Sequence, residues 1–148
     1  MTVHRHRFRV RYGETDQMRF VHHSVYLLYF EEGRTGLMRD LGRSYADLER
    51  AGHLLPVVET GLRFRSPARY DEELLTETRV AEVTGARVRF DYRVLHAADG
   101  SVAAEGWTVL ASCGPDGRPR RMDAGLREAL RAAVEAPGTA AAAPVVQR

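Results

Sequence analysis

The segment from Arg87 to Leu95, RVRFDYRVL, constrains the fold more than any other part of the chain. An apolar side chain stands at every second position, and charged side chains fill most of the positions between. Since successive side chains of a β-strand point to opposite faces of a sheet, this alternation predicts a half-buried strand. The Asp99–Gly100 pair that follows is typical of a tight hairpin turn. We therefore expect the next strand to return antiparallel to this one.

The same patterns define the remaining elements. The predicted order is a strand at residues 6–12, a helix at 24–41, a short helix or turn at 44–51, strands at 57–65, 74–83, 87–95 and 101–112, and a last helix capped by Asp123. In the first strand, Phe8, Val10 and Tyr12 are expected to share one face. This order predicts an α+β fold, with an antiparallel sheet of about five strands around one long helix. Because one helix covers only part of a sheet, we also expect a homodimer.

The long helix begins with VYLLYF, which is apolar on all sides and predicts burial on most of them. Gly33 and Gly36 each weaken a helix by about 1 kcal/mol relative to alanine. We expect both glycines to allow close packing against another backbone.

Length and composition restrict the class of protein. The 148 residues predict one domain, at 1–136, and an Ala- and Pro-rich tail at 137–148 that is expected to be disordered. Cys113 is the only cysteine, so no internal disulfide forms, and we expect it to be a small buried residue. All 22 basic residues are arginine, and they are spread along the chain at a net charge of +2. This distribution disfavours a nucleic-acid interface.

No segment approaches the roughly 20 apolar residues of a membrane span, so membrane insertion is not expected. The first residues, MTVHRHRFRV, lack the apolar core of a secretory signal. A cytoplasmic location is the expectation that follows.

Three segments together resemble a known family. They are RVRYGETDQMRFVHHSVYLLYFEEGR at 9–34, LPVVETGLRFRSPARYDEEL at 55–74 and RVRFDYRV at 87–94. They are similar to the hotdog-fold acyl-CoA thioesterases of the 4-hydroxybenzoyl-CoA thioesterase family, including its Tol–Pal-associated branch. The resemblance runs from about Arg7 to Leu110. It implies hydrolysis of an acyl-CoA to a free acid and coenzyme A, by a dimer or dimer of dimers with sites at the subunit interface. It implies no cofactor, since coenzyme A is part of the substrate.

The family motif maps onto the loop before the long helix. Tyr12, Thr15 and Asp16 match its first part, and His23 and Tyr26 match its histidine and final tyrosine. Four positions depart from the motif: Arg19 replaces glycine, His22 tyrosine, Ser24 alanine and Val25 asparagine. The departures at Arg19 and Val25 bear on the conformation of the loop and on the acyl group accepted.

The resemblance implies that Asp16 is catalytic, either as a general base on water or as a nucleophile. Ser24 is expected to cap the long helix. The unpaired N–H groups of that helix, at Ser24, Val25 and Tyr26, are candidates to polarise the thioester oxygen. Such donors contribute about 3 kcal/mol each in acyl-transfer sites.

The other candidate residues carry weaker signals. His23 either hydrogen-bonds Asp16 or the substrate, or is a packed loop residue. Glu59 is a second carboxylate that either lines the acyl pocket or is structural, and Glu14 is expected to be solvated. By position in the fold, the candidates for the phosphates of coenzyme A are Arg65, Ser66, Arg69 and Arg87. The adjacent pair His22–His23 has no third ligand at a telling spacing, so no metal site is expected.

Two other functions remain open. Hydratases and dehydratases of acyl thioesters share the fold, but their histidine follows the aspartate by about five residues in a loop rich in Asn and Pro. Here Asp16 and His23 are seven residues apart, with neither residue type between them. A non-catalytic binder of acyl-CoA or of an acyl carrier is the other alternative.

Overall fold

The protein was analysed as a computed structural model, which describes residues 1–136. The elements are β1 (Val3–Arg9), a 3₁₀ turn (Tyr12–Glu14), α1 (Val25–Asp40), α2 (Tyr45–Arg50), β2 (Val57–Phe64), β3 (Glu73–Val83), β4 (Arg87–His96), β5 (Val102–Ala111) and α3 (Ala124–Glu135). The tail predicted to be disordered, residues 137–148, lies outside the described residues. Across residues 1–136, no helix is long and apolar enough to cross a membrane.

The strands form a single five-stranded sheet in the order β1-β3-β4-β5-β2, and all neighbours are antiparallel. The α+β class and the antiparallel sheet of five strands are thereby confirmed. The Asp99–Gly100 turn joins β4 to β5, and Gly100 has a φ of 73°. Since that left-handed conformation suits glycine, the local sequence explains the turn.

The first strand differs from its prediction. β1 pairs with β3 from Val3↔Arg79 to Arg9↔Glu73, so it begins and ends three residues earlier than expected. At its end, Val10 exchanges backbone hydrogen bonds with Glu72 and Asp71. The chain then turns, which leaves Tyr12 80% exposed. The prediction that Tyr12 shares the inner face with Phe8 and Val10 is therefore wrong.

One face of the sheet is covered by α1, which contacts β1, β3 and β4. The Phe30 ring stacks on the Tyr92 ring, with the centroids 4.3 Å apart and the planes 5° from parallel. A Cβ on Gly106 would lie 2.9 Å from the Phe30 ring, so the glycine makes room for that ring. Buried apolar side chains of α1 and of the central strands thus form one core.

Gly33 is the point of closest approach between α1 and the sheet. A Cβ on Gly33 would lie 2.2 Å from the Thr78 Oγ1 atom and 3.1 Å from a Thr76 methyl. A Cβ on Gly36 would lie 2.3 Å from the His4 ring. The predicted close packing is present, but the partners are side chains of β3 and β1 and not another backbone.

The opposite face of the sheet is charged. The Glu77 side chain is only 5% exposed there and bonds Arg93 at 2.9 Å and Arg5 at 3.3 Å. The Arg89 guanidinium lies 4.8 Å from the centroid of the Trp107 ring and hydrogen-bonds Asp91. The apolar core therefore lies on the α1 side.

The last helix, α3, joins the same core. Asp123 accepts a hydrogen bond from the Leu126 N–H at 2.9 Å, which is the predicted cap. Leu126, Leu130 and Ala133 are buried. Cys113 is half-buried between backbone bridges to Leu54 and Pro119. We expected a small buried residue, and the thiol is only partly buried.

We expect Gly33→Ala to destabilise the protein by about 1–2 kcal/mol, even though alanine favours a helix by about 1 kcal/mol. The added methyl group must displace Thr78, and overpacking of a core costs about 1–3 kcal/mol. Urea unfolding measures the effect. Gly85→Ala is the matched control, because a Cβ there meets nothing within 4 Å. A stabilising Gly33→Ala would contradict the packing described for α1.

Candidate active site

The loop that carries Asp16 is closed on itself between β1 and α1. Thr15 and Val21 form a β-bridge, the Asp16 N–H donates to the Phe20 carbonyl, and the Arg19 N–H donates to the Asp16 carbonyl. Arg19 has a φ of 66°, in the left-handed region. This geometry explains why glycine is usual at that position in the family motif, and it shows that arginine is accommodated with the loop still closed.

The Asp16 carboxylate is oriented by its own loop. Its Oδ1 atom accepts the Met18 N–H at 2.9 Å and the Phe20 N–H at 3.5 Å. In the described part of the chain, no donor reaches the Oδ2 atom. One oxygen of the carboxylate therefore fixes its orientation, and the other is free to meet a substrate or water.

The start of α1 departs from its prediction. Ser24 already has helical dihedral angles and makes no side-chain cap bond, so the expected capping role is wrong. Its hydroxyl and its N–H both reach the His22 Nδ1 atom, at 2.8 and 3.2 Å. The Val25 N–H donates to the His22 carbonyl.

These contacts change which backbone groups are free. Two of the three predicted oxyanion donors, the N–H groups of Ser24 and Val25, already have acceptors. Within residues 1–136, the N–H of His23 has none. The role of the Tyr26 N–H stays a prediction.

Asp16 opens into an apolar cleft of about 290 Å³. The cleft is lined by Asp16, Met18, Phe20, Val21, His23, Tyr26, Phe64, Arg65, Ser66 and Pro67. The loop, the first turn of α1 and the segment after β2 each contribute residues. Five of the residues predicted for the site are thus brought together in one chain: Asp16, His23, Tyr26, Arg65 and Ser66.

Glu59, Arg69 and Arg87 do not line this cleft. Glu59 is exposed on the edge strand β2, opposite Val109. Arg87 begins β4, roughly 30 Å from the His96 end of that strand at 3.3 Å per residue. Arg69 does not line the cleft but lies next to it, because its guanidinium is 4.9 Å from the centroid of the Phe20 ring. Within a single chain, only Arg69 of these three is beside the site.

A second cleft, of about 760 Å³, lies on the other side of Asp16. It is lined by Tyr12, Thr15, Asp16, Gln17, Arg19 and Tyr70. The rings of Tyr12 and Tyr70 meet edge to face with their centroids 5.4 Å apart. Asp16 therefore stands between an apolar cleft and a wider one that carries aromatic rings and a cation.

His23 lies at the mouth of the apolar cleft. Its ring centroid is 4.1 Å from that of His22, and within residues 1–136 it makes no hydrogen bond to Asp16. In the same part of the chain, no group of three His, Cys, Asp or Glu side chains could hold a metal ion.

Two tyrosines of α1 carry perturbed hydroxyl groups. Burial, with a smaller contribution from Glu72, raises the pKa of Tyr26 to about 12. Burial and then the Glu14 carboxylate raise the pKa of Tyr29 still further. Both remain neutral phenols at ordinary pH.

Glu14 has a structural role that the sequence did not reveal. Its Oε1 atom accepts the Tyr29 hydroxyl at 3.1 Å and the Arg11 N–H at 2.7 Å, and its side chain is 15% exposed. The expectation of a solvated carboxylate is wrong. Glu14 instead ties the start of the Asp16 loop to α1.

Comparison with known proteins identifies the family. A family model described as the thioesterase-like superfamily matches residues 10–137. The chain belongs to the thioesterase-like superfamily. It is 38% identical over 98 residues to YneP of Bacillus subtilis, which is assigned as an acyl-CoA thioesterase; the match spans 66% of this chain and 71% of YneP.

Solved structures extend the agreement to the fold. Hypothetical protein TT1821 of Thermus thermophilus superimposes with a TM-score of 0.83 at 39% identity, over 88% of this chain and 98% of that one. A DHNA-CoA thioesterase of Staphylococcus aureus superimposes with a TM-score of 0.80 at 30% identity, over 83% of both chains. The resemblance to the hotdog-fold acyl-CoA thioesterases, drawn from residues 9–34 and two later segments, is confirmed.

We expect Arg19→Gly to stabilise the protein by roughly 1 kcal/mol. The left-handed conformation costs a residue with a Cβ about 1–2 kcal/mol, and the flexibility of unfolded glycine offsets part of that gain. Thermal unfolding measures the change. Gln17→Gly is the control, since Gln17 lies in the same exposed loop without a positive φ. It should be destabilising, and equal effects of the two substitutions would rule out strain at Arg19.

Proposed function

We propose that this member of the thioesterase-like superfamily hydrolyses an acyl-CoA thioester to a free carboxylic acid and coenzyme A. The observation that carries the proposal is that Asp16 and His23 line the same apolar cleft, where, within residues 1–136, the Asp16 Oδ2 atom meets no donor and the His23 N–H meets no acceptor. Attack on a thioester needs both a base or nucleophile and a donor for the developing oxyanion.

The reaction follows from this arrangement. The acyl group enters the apolar cleft, and its carbonyl oxygen receives the His23 N–H. Asp16 either takes a proton from the attacking water or attacks the carbonyl carbon itself, and water then hydrolyses the anhydride. In both routes the C–S bond breaks, the thiolate of coenzyme A leaves, and it gains the proton that water supplied. Neutral Tyr26 contributes the wall of the cleft and takes no part in proton transfer.

Each of the two clefts binds a different part of the substrate: the apolar cleft binds the acyl group, and the wider cleft binds coenzyme A. The apolar cleft is rich in aromatic rings, from Phe20, Tyr26 and Phe64, which favours an aryl acyl group. The wider cleft is lined by Arg19, and the Arg69 guanidinium lies over the ring of Phe20, which lines the apolar cleft. We infer that these arginines meet the phosphates of coenzyme A, since a guanidinium binds phosphate well. Arg65 is less suited, because Glu105 already pairs with it at 2.5 Å.

We further infer that α1 is the central helix of the hotdog fold and that two chains pair along β2. This strand is one edge of the sheet, and Val57 and Val58 on it are 42% and 51% exposed. An edge strand with exposed apolar side chains and backbone groups that no neighbouring strand pairs is a site for strand pairing. Pairing there extends the sheet across a homodimer and places Glu59 at the interface. A dimer of dimers is the larger assembly that the resemblance implies.

Asp16→Asn is expected to lower kcat at least about 100-fold, the size of effect expected when a general base or nucleophile is lost. Release of free coenzyme A from a panel of aryl, short-chain and long-chain acyl-CoAs measures it. Asp71→Asn makes the same chemical change on an exposed carboxylate nearby, at a φ of 63° that asparagine also adopts. It should keep nearly full activity.

If the wild-type protein is inert on the whole panel, hydrolysis of acyl-CoA is wrong and the binding of an acyl carrier becomes the better proposal. If Asp16→Asn stays active, the hydrolysis stands and another residue performs it.

Val58→Asp should convert the dimer to a monomer, because a carboxylate at the pairing edge must lose its hydration in the interface. Sedimentation equilibrium measures the mass. Val3→Asp places the same charge on β1, the other edge of the sheet, and should remain dimeric. Loss of the dimer in Val3→Asp alone would move the interface to β1.

A further inference from the structure

A chain of three polar side chains lies behind the apolar cleft. The His96 Nε2 atom is 2.7 Å from the Ser66 Oγ atom, and the His96 Nδ1 atom is 2.6 Å from the Glu72 Oε1 atom. His96 is 8% exposed, and it is the last residue of β4. Ser66 lines the cleft beside Asp16, whereas His96 and Glu72 do not. The reaction described above makes no use of the buried imidazole.

The number of protons in this chain follows from its acceptors. The Ser66 hydroxyl also lies 2.9 Å from the Val102 carbonyl oxygen, which can only accept. A hydroxyl has one hydrogen to donate, so Ser66 donates to Val102 and accepts from the Nε2–H of His96. The Glu72 carboxylate in turn accepts from the Nδ1–H. Both ring nitrogens therefore carry hydrogen, and the charged imidazolium satisfies every contact at once.

We propose that His96 is a positioning residue whose imidazolium form holds the segment 65–72 against the cleft, so that substrate binding weakens as His96 loses its second proton. This rests on the proposed thioesterase function. The sign follows from the contacts. At low pH the latch of Glu72, His96 and Ser66 is complete. At higher pH the neutral ring keeps one N–H, which Glu72 can accept, and the Ser66 hydroxyl must then give its single hydrogen either to Nε2 or to the Val102 carbonyl, so that one contact is lost.

The segment 65–72 carries the effect to Asp16. The N–H groups of Arg65 and Ser66 donate to the Ala103 carbonyl, and the Ala68 carbonyl accepts the N–H of Val21 at 2.8 Å. Val21 closes the Asp16 loop through its bridge to Thr15. When Ser66 loses a contact, the wall of the cleft therefore becomes less fixed. The Asp16 loop is affected as well, through the hydrogen bond between the Val21 N–H and the Ala68 carbonyl.

Two carboxylates act on the imidazole, and a tyrosine acts on one of those carboxylates. Glu72 contacts it directly, and Asp99 acts on it from the turn between β4 and β5. Tyr26 faces Glu72 from α1 and is neutral over the working range. Both charged neighbours are carboxylates. Glu72 is itself held in place by the Arg69 N–H at 3.1 Å.

The same three residue types form the nucleophilic triad of serine hydrolases. There the serine hydroxyl donates to a neutral histidine. Here the Val102 carbonyl takes the hydroxyl hydrogen, and the imidazolium donates to the serine oxygen. The imidazolium form of His96 cannot act as a base toward Ser66, and in that form the arrangement positions the wall of the cleft.

The test begins with NMR, which does not depend on turnover. The ¹⁵N shifts of both His96 ring nitrogens are followed with pH, together with the backbone amides of Ser66 and Val21. We expect an imidazolium at low pH and amide shifts that follow the midpoint of His96. In His96→Gln, which has no titrating proton, these amides should not respond. A neutral ring at all pH values, or amides that ignore His96, would overturn the proposal whether or not the protein has activity.

Kinetics then tests the effect on substrate, using the acyl-CoA that is turned over fastest in the panel. KM of the wild type should rise about tenfold as His96 deprotonates, a size consistent with one hydrogen bond to a charged group. KM of His96→Gln should be high and independent of pH, while kcat changes less than threefold. His4→Gln is the matched control, since the His4 Nδ1 atom bonds Asp40 at the same 2.6 Å, away from the cleft. A pH-dependent KM retained in His96→Gln would contradict the latch.

Discussion

The close contact between α1 and the sheet is the constraint on which the rest of the structure depends. Gly33 lets the helix axis approach Thr78, and Phe30 then stacks on Tyr92 in the centre of the core. This packing determines where the first turn of α1 lies relative to the sheet. Because the Asp16 loop is tied to that turn by Glu14 and the Tyr29 hydroxyl, the position of the carboxylate is set by the core and by few contacts of its own.

The site also shows how a short loop can orient one carboxylate. Two N–H groups of its own loop hold the Oδ1 atom of Asp16, so no second side chain is needed to aim the Oδ2 atom. The turn that presents those N–H groups requires a left-handed residue, and Arg19 occupies it. The sequence therefore accepts backbone strain at Arg19 and places a cation beside the wider cleft.

The order of elements could be predicted because it rests on local periodicity. The alternation at 87–95 predicts a strand, and the Asp99–Gly100 pair predicts a turn, without reference to any other part of the chain. The site was only partly predictable. Asp16 and His23 belong to a recognisable motif. The contacts of Glu14 and His96 join residues that are distant in sequence, so no pattern in the sequence predicts them. The predicted position of Tyr12 was wrong for a related reason. The alternation of apolar and charged residues continues past Arg9 in the sequence, but the pairing of β1 with β3 ends at Arg9.

The proposed catalysis and the proposed dimerisation would involve neighbouring surfaces of the chain. An oxyanion is stabilised best where water is excluded, because a hydrogen bond is stronger in a medium of low dielectric constant. In one chain the apolar cleft is walled on its outer side by Phe64 and Met18, both exposed. Phe64 is the last residue of β2, the strand whose edge carries Val57 and Val58. In the proposed dimer, a partner that pairs along β2 would lie next to the wall of the cleft, and the same interface would help to exclude water from the proposed site.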